Sequence, residues 1–196
     1  MILLIDNFDS FAHILADYFR RTGEQVTVLR NDASLAEVQR LSFSALVISP
    51  GPETPNKAGN LMEILSYYHD KVPVLGICLG HQAIGIFFGA KLVKSPRPMH
   101  GKISLVSQKR KHEVLKNIPG RFKVTRYHSL ELEELPDSLE VILEEENGAV
   151  MSFSHRYLPI VGIQFHPEAH LTEYGEQLIL NWVNLIKELK VPQIYC

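Results

Sequence analysis

The residues that are best suited to carry out a chemical reaction form a short motif around a cysteine. Cys78 lies between Gly76 and Gly80 in the sequence Gly-Ile-Cys-Leu-Gly, which has the Gly-x-nucleophile-x-Gly spacing of a nucleophile elbow. Such an elbow turns sharply from a strand into a helix, and the free N–H groups and positive dipole end of that helix favour a thiolate. The alternative is a buried structural cysteine. The strand-to-helix context favours the nucleophile.

A cysteine nucleophile needs a base, and one of the nine histidines has a carboxylate close by in the sequence. His166 ends an apolar, strand-like run and precedes Pro167, which biases it toward extended backbone. In extended backbone Glu168 points the same way and can orient the imidazole, as the third member of a triad does. A surface His and Glu at a strand end are the alternative. His81, three residues after Cys78, is a rival base without a carboxylate at a suitable spacing.

Two further segments could complete a pocket around the cysteine. Gln82 is four residues after Cys78, on the same face of the predicted helix, where its amide could bind a substrate; a solvent-facing glutamine is an equal alternative. The loop 49–55, Ser-Pro-Gly-Pro-Glu-Thr-Pro, follows another predicted strand, and ligands bind beyond the carboxyl ends of parallel strands. A backbone N–H of this loop and that of Leu79 could stabilise an oxyanion. A plain tight turn is the alternative for the loop.

The elements that must position these residues alternate between strand and helix in the first half of the chain. The patterns predict strands at 1–6, 25–31, 45–51 and 72–78 and helices at 10–21, 35–41, 61–69 and 79–88. This order predicts an α/β fold, with an open, mostly parallel twisted sheet and helices on both faces. The second half predicts a smaller antiparallel sheet and a closing helix, with strands at 102–108, 121–130, 139–145, 149–155 and 158–166 and the helix at 174–189.

Composition sets limits on function. The 196 residues are 45% hydrophobic and 21% charged, with a net charge of −2 at pH 7, which is typical of one soluble domain and argues against nucleic-acid binding. Two cysteines, Cys78 and Cys196, cannot form a disulfide scaffold, so a reducing cytoplasm is expected. The uncharged stretch 72–90 contains Pro73 and several glycines and is not expected to span a membrane. No phosphate-loop, dinucleotide or zinc spacing is present, so we expect no cofactor and no metal.

Together the motifs resemble the class I glutamine amidotransferases, and in particular the small glutaminase subunits of anthranilate synthase and aminodeoxychorismate (para-aminobenzoate) synthase. The resemblance covers the chain as one flavodoxin-like domain, residues 1–196. It rests on several segments in order: LLIDNFDSF (3–11), ISPGPETP (48–55), GICLGHQAIG (76–85), MHGK (99–102), RYHSL (126–130) and GIQFHPEAHLT (162–172). Such a series is far more specific than any single segment.

The resemblance implies a role for each matching residue. The catalytic residues would be Cys78 as nucleophile, His166 as general base and acid, and Glu168 as orienting carboxylate. The oxyanion-hole donors would be the N–H groups of Gly51 and Leu79. The residues that hold the α-amino and α-carboxyl groups of L-glutamine would be Gln82 and the Ser129–Leu130 backbone, with Pro52 and Glu53 lining the same pocket.

The implied activity is hydrolysis of L-glutamine through a thioester, with delivery of ammonia to a large chorismate-binding subunit. The segment around His100-Gly101-Lys102 is typical of subunits with such a partner. No nucleic acid and no membrane is expected as a partner. The resemblance leaves open whether the product leads to tryptophan or to folate. Two other functions stay open: hydrolysis of another γ-glutamyl compound, and a non-catalytic regulatory module.

The chain departs from the family pattern at a few positions. Glu53 occupies the second glycine position of a Gly-Pro-Gly loop, which puts the backbone shape of that loop in question. Ala169 occupies a position where serine is common. Residues 11–15, Phe-Ala-His-Ile-Leu, replace the usual Phe-Thr-Tyr-Asn-Leu, and we expect this change to affect packing or a partner surface rather than the chemistry.

Overall fold

The computed structural model describes residues 1–97 and 99–189, so Cys196 lies outside the described residues. Within these ranges the main sheet has nine strands in the order β2-β1-β3-β4-β11-β10-β9-β6-β7, and a second sheet pairs β5 with β8. The strands are β1 (Ile2–Asp6), β2 (Val26–Arg30), β3 (Ala45–Ile48), β4 (Val74–Ile77), β5 (Lys91–Lys94), β6 (Lys102–Gln108), β7 (Arg121–Arg126), β8 (Leu130–Glu133), β9 (Leu139–Glu145), β10 (Val150–His155) and β11 (Ile160–Ile163). The helices are α1 (Ala12–Arg21), α2 (Leu35–Gln39), α3 (Leu61–Tyr68), α4 (Leu79–Phe87) and α5 (Gly175–Glu188).

Five strands form the parallel half of the main sheet. β1 pairs with β2 and β3, and β4 pairs with β3 and β11, each in parallel. Every residue of β1, β3, β4 and β11 is buried, because helices cover both faces and leave the apolar strands no contact with water. The predicted mostly parallel sheet is confirmed.

Alternate residues of β1 face two different layers of helices. Ile2 and Leu4 belong to a core shared with α1 and α5, where the rings of Phe19 and Trp182 meet at 5.7 Å. Leu3 and Ile5 belong to a second core with α3 and α4 on the other face. In the described part of the chain, no helix is long and apolar enough to cross a membrane.

The antiparallel half differs from the sequence prediction at residues 121–130. We expected a single strand over 121–130, but β7 ends at Arg126 and β8 begins at Leu130 in the other sheet. The carbonyl of His128 accepts a hydrogen bond from the Met99 N–H, and that of Ser129 accepts one from the Ser95 N–H, both at 2.9 Å. These two bonds to a distant segment draw residues 127–129 away from the main sheet.

The parallel strands end together, and this places the candidate site. Ile48 of β3 pairs with Gly76 of β4, and Ile77 of β4 pairs with Ile163 of β11. The chain therefore leaves these strands at one edge of the sheet, where segments 49–53, 78–82 and 164–168 meet.

Candidate active site

Cys78 occupies the turn between β4 and α4, as the sequence predicts. Its backbone angles are φ 51° and ψ −97°, although it carries a side chain. A non-glycine residue with positive φ costs free energy, and such strain concentrates at functional sites. The turn leaves the cysteine at the start of α4, where backbone N–H groups lack partners within the helix.

The glycines on either side of Cys78 are required by close packing. A Cβ atom on Gly76 would lie 2.4 Å from the backbone of Gly80, and one on Gly80 would lie 2.5 Å from the carbonyl oxygen of Ile48. Both distances are shorter than any van der Waals contact. The start of α4 therefore sits directly on the ends of β3 and β4, and this contact fixes where the cysteine points.

His166 and Glu168 are in direct contact and both are buried. The Nδ1 atom of His166 lies 2.7 Å from Oε1 of Glu168, and the two residues are 2% and 3% exposed. The extended geometry we expected is wrong, because β11 ends at Ile163 and the chain turns after His166, with the Ala169 N–H donating to the His166 carbonyl at 3.2 Å. The carboxylate reaches the imidazole through this turn.

The neighbours of His166 hold its backbone and its ring. The Thr125 carbonyl accepts from the His166 N–H at 3.1 Å, and the Thr172 hydroxyl donates to the His166 carbonyl at 2.7 Å. The rings of Phe11 and Tyr127 meet the imidazole edge-on, with centroid distances of 5.1 and 5.0 Å. The imidazole therefore has little freedom to rotate.

The side chains of Cys78 and Glu168 both affect the pKa of His166. Burial lowers this pKa, but interactions of the imidazole with the Cys78 side chain and then with Glu168 outweigh burial and raise it to about 10. Glu168 occupies Nδ1, so Nε2 is the nitrogen left for proton exchange with the sulfur. No nitrogen or oxygen atom of the described residues bonds to Nε2. This arrangement suits an imidazolium beside a thiolate.

His81, the rival base, lies in the core instead. It is fully buried, its ring is tilted against that of Phe153 with a centroid distance of 4.6 Å, and it packs against the backbone of Gly162. Burial is the main cause that lowers its pKa to about 3, so it stays neutral at ordinary pH. A histidine with so low a pKa and no carboxylate to orient it is a poor base for Cys78.

A pocket of about 130 Å³ opens beside the cysteine. It is lined by Gly51, Pro52, Glu53, Cys78, Gln82, Tyr127, His128, Ser129 and Leu130. Sequence reasoning missed Tyr127 and His128, although both lie in the RYHSL segment that supplied two expected neighbours. A larger cavity of about 540 Å³ lies by residues 108–117 and Leu185, away from the cysteine. Among residues 1–97 and 99–189, no group of three His, Cys, Asp or Glu side chains could hold a metal ion.

Gln82 is buried in the pocket wall and does not face solvent. Its Nε2 atom donates to the Leu130 carbonyl at 3.2 Å and to Oε1 of Gln164 at 3.3 Å. The amide nitrogen therefore donates both of its hydrogen bonds within the protein, and Oε1 of Gln82 is left to accept a hydrogen bond from a ligand.

Gly51 and Leu79 lie next to each other, and Gly51 lines the pocket. A Cβ on Gly51 would lie 2.6 Å from Cδ2 of Leu79 and 2.5 Å from Cβ of Asn7, so only glycine fits there. Leu79 is the first residue of α4, and its N–H has no acceptor within the helix. The two N–H groups have the chemistry of an oxyanion hole.

The sequence matches the model of one protein family. The model of "Glutamine amidotransferase class-I" matches residues 3–185, nearly the whole chain. The chain belongs to the class-I glutamine amidotransferase family. The resemblance that the motifs indicate is thereby confirmed.

Curated relatives match over nearly their full length. "Anthranilate synthase component 2" of Azospirillum brasilense is 44% identical, covering 97% of this chain and 98% of the relative. "Aminodeoxychorismate synthase component 2" of Serratia marcescens is 45% identical, covering 94% and 100%. "Aminodeoxychorismate/anthranilate synthase component 2" of Bacillus subtilis (strain 168) is 39% identical, covering 96% and 98%.

Solved structures agree with the fold. A Thermoplasma acidophilum protein assigned as one subunit of a GMP synthase is 28% identical, with a TM-score of 0.86 over 96% of this chain and 94% of that chain. A glutamine amidotransferase of Thermotoga maritima is 19% identical, with a TM-score of 0.67 over 97% and 85%, and it supports the fold alone.

Glu53 keeps the backbone shape that a glycine would adopt in this amidotransferase loop. Its φ is 61°, in the left-handed region, and its exposed carboxylate pairs with Nζ of Lys57 at 3.1 Å. The departure therefore strains the backbone rather than reshaping the loop. Ala169 contributes its N–H to the His166 turn, a contact that needs no side chain. Of the changed residues on α1, Ala12 is buried in the core, whereas His13 and Ile14 are exposed.

The strain at Glu53 predicts that glycine is the better residue for stability there. Glu53→Gly should be more stable than Glu53→Ala by about 1 kcal/mol, because both lose the Lys57 pair and only glycine relieves the left-handed backbone. Urea unfolding of the two variants measures the difference. Equal stabilities, or a more stable alanine variant, would show that the backbone at residue 53 is relaxed.

The causes of the raised His166 pKa predict how substitutions change it. Cys78→Ala and Glu168→Gln should each lower the pKa of His166, since each removes an interaction that raises it. The double variant should bring it below the ordinary 6.5, because burial then acts alone. NMR titration of the imidazole measures each value. An unchanged pKa in Cys78→Ala would mean that the sulfur does not act on the imidazole.

Proposed function

We propose that this chain is the glutaminase subunit of a chorismate-using synthase, and that it hydrolyses L-glutamine to glutamate and ammonia. The observation that carries the proposal is the pair of buried His166 and Glu168 side chains acting on Cys78 at the edge of a small pocket. Relatives 39–45% identical over nearly their whole length are named component 2 of anthranilate synthase, of aminodeoxychorismate synthase or of both.

The first step forms a covalent intermediate. The Cys78 thiolate attacks the side-chain amide carbon of glutamine, and the carbonyl electrons move onto oxygen. The N–H groups of Gly51 and Leu79 hydrogen-bond to this oxyanion, and each such donor contributes about 2.7–4 kcal/mol in comparable sites. The strained turn at Cys78 aims the sulfur before the substrate arrives.

His166 handles the protons of both halves of the reaction. It gives its Nε2 proton to the amide nitrogen as the C–N bond breaks, so ammonia leaves and a glutamyl thioester remains on Cys78. It then takes a proton from water, whose oxygen attacks the thioester carbon, and the thiolate departs from glutamate. Glu168 holds Nδ1 throughout and stabilises the imidazolium that forms.

The pocket wall binds the amino-acid end of the substrate in this proposal. Oε1 of Gln82 accepts from the α-ammonium group, and the backbone of Ser129 and Leu130 flanks the α-carboxylate, with Pro52 beside it. Glu53 contributes mainly its backbone, since its carboxylate is exposed and paired with Lys57. The volume of about 130 Å³ suits a small amino acid.

The ammonia that is released has to reach a second active site, on a partner subunit. In bulk water at pH 7 ammonia becomes ammonium and loses its nucleophilicity. We therefore propose that it travels along a shielded path to a large chorismate-binding subunit. We propose one amidotransferase domain over residues 1–196, in the cytoplasm, without a nucleic-acid, membrane, metal or cofactor partner. The isolated chain would then hydrolyse glutamine slowly and become faster on docking.

Removal of the sulfur tests the proposal. In complex with a large subunit, Cys78→Ala should abolish glutamine-dependent product formation while added ammonium salts still support it, because only ammonia release needs the thiolate. Cys196→Ala, at the other cysteine of the chain, is the matched control and should turn over glutamine normally. Product analysis with chorismate separates anthranilate from aminodeoxychorismate formation.

Three outcomes would contradict the proposal. Glutamine hydrolysis by Cys78→Ala would exclude the thiolate as nucleophile. Release of glutamate from γ-glutamyl peptides but not from glutamine would indicate the wider γ-glutamyl hydrolase, and no turnover of either compound would indicate a regulatory module.

A further inference from the structure

His128 lies in the pocket wall but takes no part in the steps above. It is buried, and both of its ring nitrogens have partners: Nε of Arg126 donates to Nε2 at 3.0 Å, and Nδ1 lies 2.8 Å from the Leu130 carbonyl oxygen. A guanidinium can only donate, so Nε2 must be an acceptor. His128 is therefore neutral, and its proton is on Nδ1, donating to the Leu130 carbonyl.

Arg126 cannot turn away from this contact. Its side chain is fully buried, and its Nη1 atom donates to the Ser104 hydroxyl at 3.1 Å and to the carboxylate of Glu145. A second proton on His128 would point at the guanidinium. Burial, and then the charge of Arg126, lower the pKa of His128 to about 4, in agreement with the neutral ring.

The Leu130 carbonyl accepts a second hydrogen bond, from Nε2 of Gln82 at 3.2 Å. An amide side chain can bind in two orientations that exchange its nitrogen and oxygen. A carbonyl fixed in place can accept only from the nitrogen, so it directs Oε1 of Gln82 to the other side. The backbone around it is also held from outside, by the Met99 N–H on the His128 carbonyl.

We propose that His128 is a positioning residue for substrate binding: its Nδ1–H holds the Leu130 carbonyl, which keeps the Gln82 amide oriented to accept from the α-ammonium group of glutamine. This inference rests on the proposed function and deepens it. His128 touches no reacting atom, so its effect falls on glutamine binding more than on the chemical step.

A pair of substitutions separates this role from packing. The amide nitrogen of asparagine can take the place of Nδ1 and donate to the Leu130 carbonyl, whereas the amide oxygen of the longer glutamine takes the place of Nε2 and accepts from Arg126. In the full chain, His128→Gln should raise KM for glutamine about tenfold with a smaller change in kcat, as expected for one lost hydrogen bond in the binding wall. His128→Asn should keep KM within about threefold of the unsubstituted chain.

A labelling experiment measures the same loss of substrate binding without catalytic turnover. A diazo ketone analogue of L-glutamine uses the α-ammonium contact when it alkylates Cys78, and iodoacetamide does not. His128→Gln should slow labelling by the analogue about tenfold and leave labelling by iodoacetamide unchanged. Loss of packing alone would change both rates together.

The inference is overturned if KM in His128→Gln equals that of the unsubstituted chain, or if His128→Asn and His128→Gln raise KM equally. Should His128→Gln fail to fold, ¹⁵N NMR of the unsubstituted chain still decides, because a proton on Nε2 of His128 at pH 7 contradicts the network. Failure of the proposed function is seen separately, as an unsubstituted chain that neither hydrolyses glutamine nor reacts with the analogue, and it overturns both.

Discussion

The contact between Cys78 and His166 depends on the pairing of two strands that are far apart in the sequence. β4 and β11 lie side by side and run parallel, so the chain leaves both at the same edge of the sheet. The Cys78 N–H donates to the Ile163 carbonyl at 2.8 Å, which ties the elbow directly to the strand that leads to His166. Without that register, neither the imidazole nor Glu168 would reach the sulfur.

Several features of the site are unfavourable in free energy, and the packing of the surrounding core must offset them. Cys78 holds a positive φ, His166 carries charge in a buried place, and Glu53 adds a left-handed turn beside them. Each cost persists because packing leaves no alternative: glycines at 76 and 80 let α4 lie against the strands, and buried parallel strands on both sides prevent the turn from relaxing. Preorganisation of this kind is what a nucleophile and its base require.

Much of this arrangement could be predicted from local patterns. Strand-helix alternation gives the parallel sheet, and the spacing of glycines around Cys78 gives the elbow. Features that depend on distant partners were missed or wrongly explained. The break after Arg126 arises from hydrogen bonds to Ser95 and Met99, which no local propensity encodes. The turn that brings Glu168 to His166, the burial of Gln82 and the bonded ring of His128 likewise follow from tertiary contacts.

The most direct test of the account is to look for the covalent intermediate itself. The reaction with L-glutamine is quenched in acid during turnover, and the peptides are mapped by mass spectrometry. The account predicts one glutamyl group on Cys78, joined as a thioester that hydroxylamine removes. Glutamate release with an unmodified Cys78, or with the glutamyl group on another residue, would contradict it.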